Sequence, residues 1–120
     1  MKDRKVYPAE HFANSVVVEY QDNDVLFSVV KRNDGTASVL NLFGGSIDSK
    51  CALVQRFFQE FPEVWKLTNQ VHNVSELKAC YKAGLRYHSQ ESNCPFNLSE
   101  TVALVKAHEV PSVKMIWKRS

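Results

Sequence analysis

The stretch "NVSELKACYKAGLRY", Asn73 to Tyr87, decides how this chain is read. Leu77, Cys80 and Tyr81 recur at helical spacing, so a helix is predicted over Asn73–Ala83. Asn73 is a good N-cap, and Glu76 stands three residues on, at the capping-box offset. Gly84 suits the position just past the helix, where only glycine enters the left-handed region cheaply. A helix halted on glycine and followed by "LRYHS" (Leu85–Ser89) returns the chain to a sheet. In front of it, "VWKLTNQV" (Val64–Val71) alternates as a strand does. The unit is strand, helix, strand.

Working outward, "SIDSKCALVQRFFQEF" (Ser46–Phe61) places Cys51, Leu53, Val54, Phe57, Phe58 and Phe61 at helical spacing. Ser46, Asp48 or Ser49 can cap it, and Pro62 ends it. Before it, "SVVVEY" (Ser15–Tyr20), "VLFSVVKR" (Val25–Arg32) and "ASVLNLFGG" (Ala37–Gly45) read as strands. "NDGT" (Asn33–Thr36) carries the Asp-Gly hairpin signal between the last two. A short helix is predicted around "PAEHFAN" (Pro8–Asn14), with Pro8 at an early helical position. Near the C-terminus, "LSETVALVKAHEV" (Leu98–Val110) reads as a helix and "SVKMIWKRS" (Ser112–Ser120) as a strand. Tyr20, Phe27, Phe43, Trp65 and Trp117 are core candidates. The order β-β-β-α-β-α-β-α-β gives an α+β fold: a mostly antiparallel sheet, a central βαβ unit and two to three helices.

Composition narrows the function classes. At 120 residues and 44% hydrophobic, the chain is expected to form one domain, residues 1–120, with its own core. Fifteen basic against thirteen acidic residues give no basic excess of the kind a nucleic-acid binder shows. Cys51, Cys80 and Cys94 form no CxxC pair, and His11, His72, His88 and His108 are scattered, so neither a disulfide framework nor a metal site is read. The opening "MKDRKVYPAEHF" has neither a signal nor an anchor pattern, and no window approaches the ~20 apolar residues of a membrane span. A cytoplasmic location is expected, in a host cytoplasm or a virion if the chain is viral.

The Asn-to-Gly block resembles the GNAT (acyl-CoA N-acyltransferase) superfamily. Its second half commonly reads Asn-x-x-Ala-x-x-x-Tyr-x-Lys-x-Gly-Phe. Asn73 takes the Asn place, Lys82 the Lys, Gly84 the Gly and Leu85 the Phe. "ASVLNLFGG" and the helix after it look like the family's fourth strand and cofactor-binding helix, so the resemblance runs from Ser28 to Ser89. It implies an acyl-CoA donor, acetyl-CoA or another, and an amine acceptor. It places the cofactor end at Gly44, Gly45, Ser46, Ser49 and Lys50, and makes Asn73 and Tyr81 the catalytic candidates.

The chain departs from the family in three places. The pyrophosphate loop, Gln/Arg-x-x-Gly-x-Gly/Ala in the family, is here "LFGGSIDSK", with adjacent glycines, no preceding base, and Asp48 where phosphate should sit. The family's acidic Tyr falls on Cys80, while Tyr81 is one residue late, a turn of ~100° about the helix. Only about fourteen residues precede the first clear strand, where the family has a strand and two helices. These departures match a degenerate, phage-type member. A non-catalytic module therefore stands beside the acyltransferase reading: a small phage, immunity or accessory factor whose partner is another protein. A helix-turn-helix at Leu104–Arg119, presenting Lys114, Lys118 and Arg119 to nucleic acid, is the weaker third reading, because "SVKMIWK" alternates like a strand.

Overall fold

The fold is that of a computed structural model, which describes residues 4–11, 13–22, 24–87, 99, 102–103 and 113–119. In chain order the elements are β1 (Arg4–Pro8), β2 (Ser15–Asp22), β3 (Val25–Arg32), β4 (Thr36–Phe43), α1 (Ile47–Glu60), β5 (Lys66–Val71), α2 (Val74–Lys82), β6 (Arg86–Tyr87) and β7 (Val113–Lys118). The strands form one sheet in the order β1-β2-β3-β4-β5-β7-β6. Every neighbouring pair is antiparallel except β4–β5, which is parallel and bridged by α1. The α+β class and the central parallel unit read from the sequence are what the chain forms.

The N-terminus differs from the expected helix at Pro8–Asn14. Residues Arg4–Pro8 pair with β2 in register, from Arg4 opposite Tyr20 to Pro8 opposite Val16. Seven residues make a marginal helix, whereas β1 completes the edge of a sheet already built. Pro8 ends the strand, where its missing N–H is tolerated. The chain then reverses through Ala9, whose N–H donates to Ser15 O at 3.1 Å, and Asn14 at φ 57°. The Asp-Gly hairpin forms as read: Gly35 takes φ +89°, and Asp34 Oδ1 accepts from the Thr36 N–H at 2.9 Å.

Both described helices cover one face of the sheet. Val18, Tyr20, Phe27, Val29, Leu67 and Met115 meet Phe57, Val54 and Leu77 in a single core. Phe27 lies against Tyr20 (ring centroids 5.9 Å apart) and edge-on to Phe57 (6.1 Å). Each such side chain contributes about 1.5–3 kcal/mol by burial. Trp117 stacks on Phe58 at 3.7 Å, and Arg119 donates to Phe58 O (3.2 Å) and Val64 O (3.0 Å), satisfying a carbonyl in the last turn of α1. Glu60 is not left to solvent: it accepts from Tyr20 (2.8 Å), Arg4 (2.9 Å) and Arg56 (3.0 Å), tying α1 to the β1–β2 edge. Phe43 and Trp65, expected in the core, are instead exposed. Phe43 ends β4 beside an opening, and Trp65 lies over the β3–β4 turn with Nε1 donating to Asp34 O at 2.9 Å.

The segment Asn73–Tyr87 forms the helix and strand that its capping residues predict. Asn73 caps the helix, its Oδ1 accepting from the Glu76 N–H at 2.8 Å. Gly84 takes φ +109°, so its N–H reaches Tyr81 O (3.1 Å) and the Leu85 N–H reaches Cys80 O (2.9 Å). This pair of bonds is the Schellman arrangement, and it delivers buried Leu85 to the core and Arg86 to β6. The strand expected over Leu85–Ser89 is described at Arg86–Tyr87 and leaves the described residues at 88. Most of the expected helix Leu98–Val110 lies outside them too; Ser99, Val102 and Ala103 are helical, and Val102 packs on the core. Val113–Lys118 is a strand paired with β5 and β6, so Lys114 and Lys118 stand on a sheet rather than on a recognition helix. No helix among the described residues is long and apolar enough to cross a membrane.

Candidate functional site

Strands β4 and β5 stay together for three residue pairs only: Thr36 with Lys66, Ala37 with Leu67, and Ser38 with Thr68. Beyond Ser38 they part. The β3–β4 register explains the departure, because it passes from Val29 opposite Val39 to Ser28 opposite Asn41 and leaves Leu40 as an extra residue. A bulge of this kind bends its strand, here beside the point where β4 leaves β5. The resulting opening has two ends. One, about 300 Å³, is lined by the Val39–Phe43 segment, Asn69, Gln70, His72, Asn73 and Glu76. The other, about 260 Å³, is lined by Ser38, Val39, Thr68, Asn69, Gln70 and Lys114. Val39, Asn69 and Gln70 belong to both. Since β3 and β7 take the outer edges of β4 and β5, the inner edges past Ser38 and Thr68 have no strand partner among the described residues. Such edges present N–H and C=O groups to anything extended that lies between them.

The floor of the opening is polar and buried. Asn69 occupies an inward place in β5, between Leu67 and Val71, and is 4% exposed. Its Nδ2 donates to Glu76 Oε2 at 2.9 Å and to Cys80 Sγ at 3.3 Å. Glu76, in the first turn of α2, is 7% exposed. Burial pushes its carboxyl above the ordinary value of 4.5, against the opposing pull of Asn69, the His72 backbone and the Lys50 charge. The capping box expected at Asn73–Glu76 is therefore half formed: Asn73 caps, but the Glu76 side chain turns down to Asn69. Burial likewise pushes the Cys80 thiol up to about 12, so Cys80 is a protonated, packed thiol.

The sequence-predicted site residues fall into three groups. Asn73 stands at the opening as the α2 cap. Tyr81 is half-buried on the core, its ring under the Arg86 guanidinium at 4.0 Å, and it does not line the opening. Gly44, Gly45, Ser46 and Ser49 form the turn into α1. Gly44 (φ +87°) and Gly45 (φ +57°) press against the β2–β3 hairpin: a Cβ on Gly44 would stand 1.8 Å from Asp24 O, and one on Gly45 2.4 Å from Val25 Cγ2. Ser46 caps α1, and the two serines bond reciprocally, Ser46 N–H to Ser49 Oγ (2.8 Å) and Ser49 N–H to Ser46 Oγ (3.0 Å). Asp48 in the first turn pairs with Lys82. Lys50 is buried, its Nζ donating to Ser75 Oγ at 2.9 Å, so it ties α1 to α2.

Glu76 and Asn69 are the residues that sequence reasoning passed over. From sequence Glu76 is only the third residue of a capping box. The signal for Asn69 was present, a polar residue at an inward place of an otherwise apolar alternation.

No protein-family model matches this chain, and no curated protein matches it. Solved structures do. An acetyltransferase of Bacillus subtilis in complex with CoA superimposes with TM-score 0.56 at 11% identity, over 92% of this chain and 81% of that one. An IAA acetyltransferase from Bacillus cereus ATCC 14579 superimposes with TM-score 0.56 at 12% identity, over 88% and 79%. The chain has a GNAT-like α+β fold.

Proposed function

We propose that the chain takes the arm of an acyl thioester, such as an acyl-CoA, between β4 and β5, and transfers its acyl group to an amine. The observation that carries this reading is the parting of β4 from β5 after Ser38 and Thr68, over a floor made by Asn69 and Glu76. The opening fits a narrow chain that carries amides, because both its walls are strand edges. The start of α1 does not fit a diphosphate. Its glycines are packed on Asp24 and Val25, two of its N–H groups are bonded within the capping box, Asp48 contributes a negative charge, and Lys50 faces Ser75. The donor is accordingly held by its arm.

A bound acyl thioester supplies a carbonyl carbon that an amine nitrogen attacks, forming the C–N bond and releasing the thiol. The chain contributes position and proton transfer. Strand-edge N–H groups orient the arm. The Glu76 carboxylate takes the proton that the amine loses and passes it to the thiolate freed as the C–S bond breaks, a role suited to a carboxyl raised above its ordinary value. Asn69 fixes that carboxylate through its 2.9 Å bond. Cys80 has no part in the proton traffic, its thiol being held protonated by burial. The test is thiol release from acetyl-CoA in the presence of a panel of amines, wild type beside Glu76→Gln. Amine-dependent release that falls in the variant supports the reading; amine-independent release in both proteins refutes it.

A second reading, a module that binds another protein, is favoured by the exposure of Val6, Tyr7, Leu40 and Phe43. Donor binding decides between the two.

A further inference from the structure

Strands β3, β4, β5 and β7 carry five basic residues and no acidic one. Lys31 belongs to the helix-covered face, where its Nζ pairs with Glu63 at 2.9 Å and lies 5.8 Å from the Phe61 ring centroid. The other four, Arg32, Lys66, Lys114 and Lys118, alternate with the buried residues of their strands and so stand on the opposite face. The registers place Lys66 opposite Lys118 and, four residues along the same pair of strands, Lys114 opposite Gln70. Between them runs a hydroxyl row. Arg32 Nη2 donates to Ser38 Oγ at 3.0 Å, Arg32 Nη1 donates to Thr36 Oγ1 at 3.3 Å, and Ser38 Oγ meets Thr68 Oγ1 at 3.2 Å. Among the described residues the Asp34 carboxylate sits in the β3–β4 turn and accepts from the Thr36 N–H and hydroxyl. Ser38, Thr68, Gln70 and Lys114 are also the rim of the smaller end of the β4–β5 opening.

We propose that this end seats the acceptor, and that the acceptor is an amine bearing an anionic group, a carboxylate or a phosphate. The anion lies against Lys114 and the Ser38 and Thr68 hydroxyls, with Arg32 behind Ser38. The donor arm enters from the other end, past Phe43, His72 and Asn73, and the two substrates meet beside Val39, Asn69 and Gln70. A small anion suits the place better than nucleic acid does. The rim encloses about 260 Å³, and its described residues include no aromatic ring on which a base could stack. The acceptor's role rests on the acyl-transfer reading; the anion site does not, and it can be read with no donor present.

The experiment is a titration of the 15N-labelled full chain, without donor, with O-phosphoethanolamine, L-aspartate and, as the control lacking an anion, ethanolamine. One or both anionic amines are expected to shift the amides of Ser38, Thr68 and Gln70 at millimolar concentration, and ethanolamine to leave them in place. The stronger of the two identifies phosphate or carboxylate. Lys114→Gln should weaken that binding by roughly tenfold or more, the loss of a hydrogen bond to a charged group, and Lys114→Arg should restore most of it. Equal shifts from ethanolamine, no shift from any of the three, or shifts indifferent to Lys114→Gln would overturn the proposal. A parallel acetyl-CoA titration separates the two claims. Donor binding without anion binding removes this inference alone, and anion binding without donor binding removes the acyl-transfer reading and the acceptor's role with it, leaving the anion site.

Discussion

Replacing Glu76 by Gln should change the pH dependence of stability in a direction that the structure fixes. In the unfolded chain the carboxyl titrates at its ordinary value of 4.5; in the fold, burial raises it. Between those two values the folded state keeps a proton that the unfolded state has released, so stability falls as pH rises through that window. Below 4.5 both states are protonated and the penalty is absent. Above the folded value it is constant, at about 1.4 kcal/mol for each unit of the rise. The amide does not titrate, and like the neutral acid it offers one good acceptor to the two donors beneath it, the Asn69 amide and the His72 backbone. Protonated wild type leaves the same donor short, so below 4.5 the two proteins should be nearly alike, and the variant carries no pH slope from this position. Urea unfolding of both proteins at a series of pH values from 4 to 8, followed by the fluorescence of Trp65 and Trp117, measures the difference. The variant's stability relative to wild type should climb with pH and then level off. A difference that is flat, or that declines with pH, would refute the buried carboxylate and with it the proposed base. In the transfer assay the same substitution should lower the rate by roughly 10²–10⁴-fold while leaving donor affinity in place.

Asn73→Ala should destabilise the fold by about 0.5–2 kcal/mol, the value of an N-cap, and Asn73→Ser should restore it; a rate that stays low in the folded Ser variant would mark Asn73 as a group that touches substrate. Gly84→Ala should cost at least about 1–2 kcal/mol, read as a lowered urea midpoint, because φ is +109° and the new Cβ would stand 3.3 Å from Trp117 Cδ1. Cys80 should resist a thiol reagent at pH 8 in the native protein and react in urea, since burial holds its thiol at about 12; mass spectrometry of the labelled peptide would settle it.

Much of the fold is written in local chemistry. The Gly84 stop, the Asn73 cap, the Asp34-Gly35 turn and the phenylalanine face of α1 each follow from one or two residues, and each forms. What was illegible depends on partners distant in sequence. Residues Arg4–Pro8 become a strand because β2 offers an edge, and nothing inside "RKVYP" says so. Trp65 looked like core and instead covers the turn thirty residues earlier. The candidate site divides the same way. Gly44, Gly45, Ser46 and Ser49 are legible as a strand-to-helix turn, yet the packing of the two glycines on Asp24 and Val25 is not. Lys50 gave no sign that it would turn inward to Ser75. The opening itself comes from a single extra residue at Leu40, which shows only when the β3 register is known.

How the donor is held, by its arm or by its diphosphate, is the central question. Calorimetric titration with acetyl-CoA and with S-acetylpantetheine, which has the same arm and no nucleotide, tests it most directly, beside a Gln70→Trp variant that fills the opening. The two ligands should bind with affinities within about threefold of each other, under ~1 kcal/mol, and both should fail to bind the variant. Acetyl-CoA binding far more tightly than the arm alone would restore the diphosphate site at the start of α1 and contradict the account. Failure of both to bind the wild type would contradict it as well, and would leave the exposed apolar surface as the functional one.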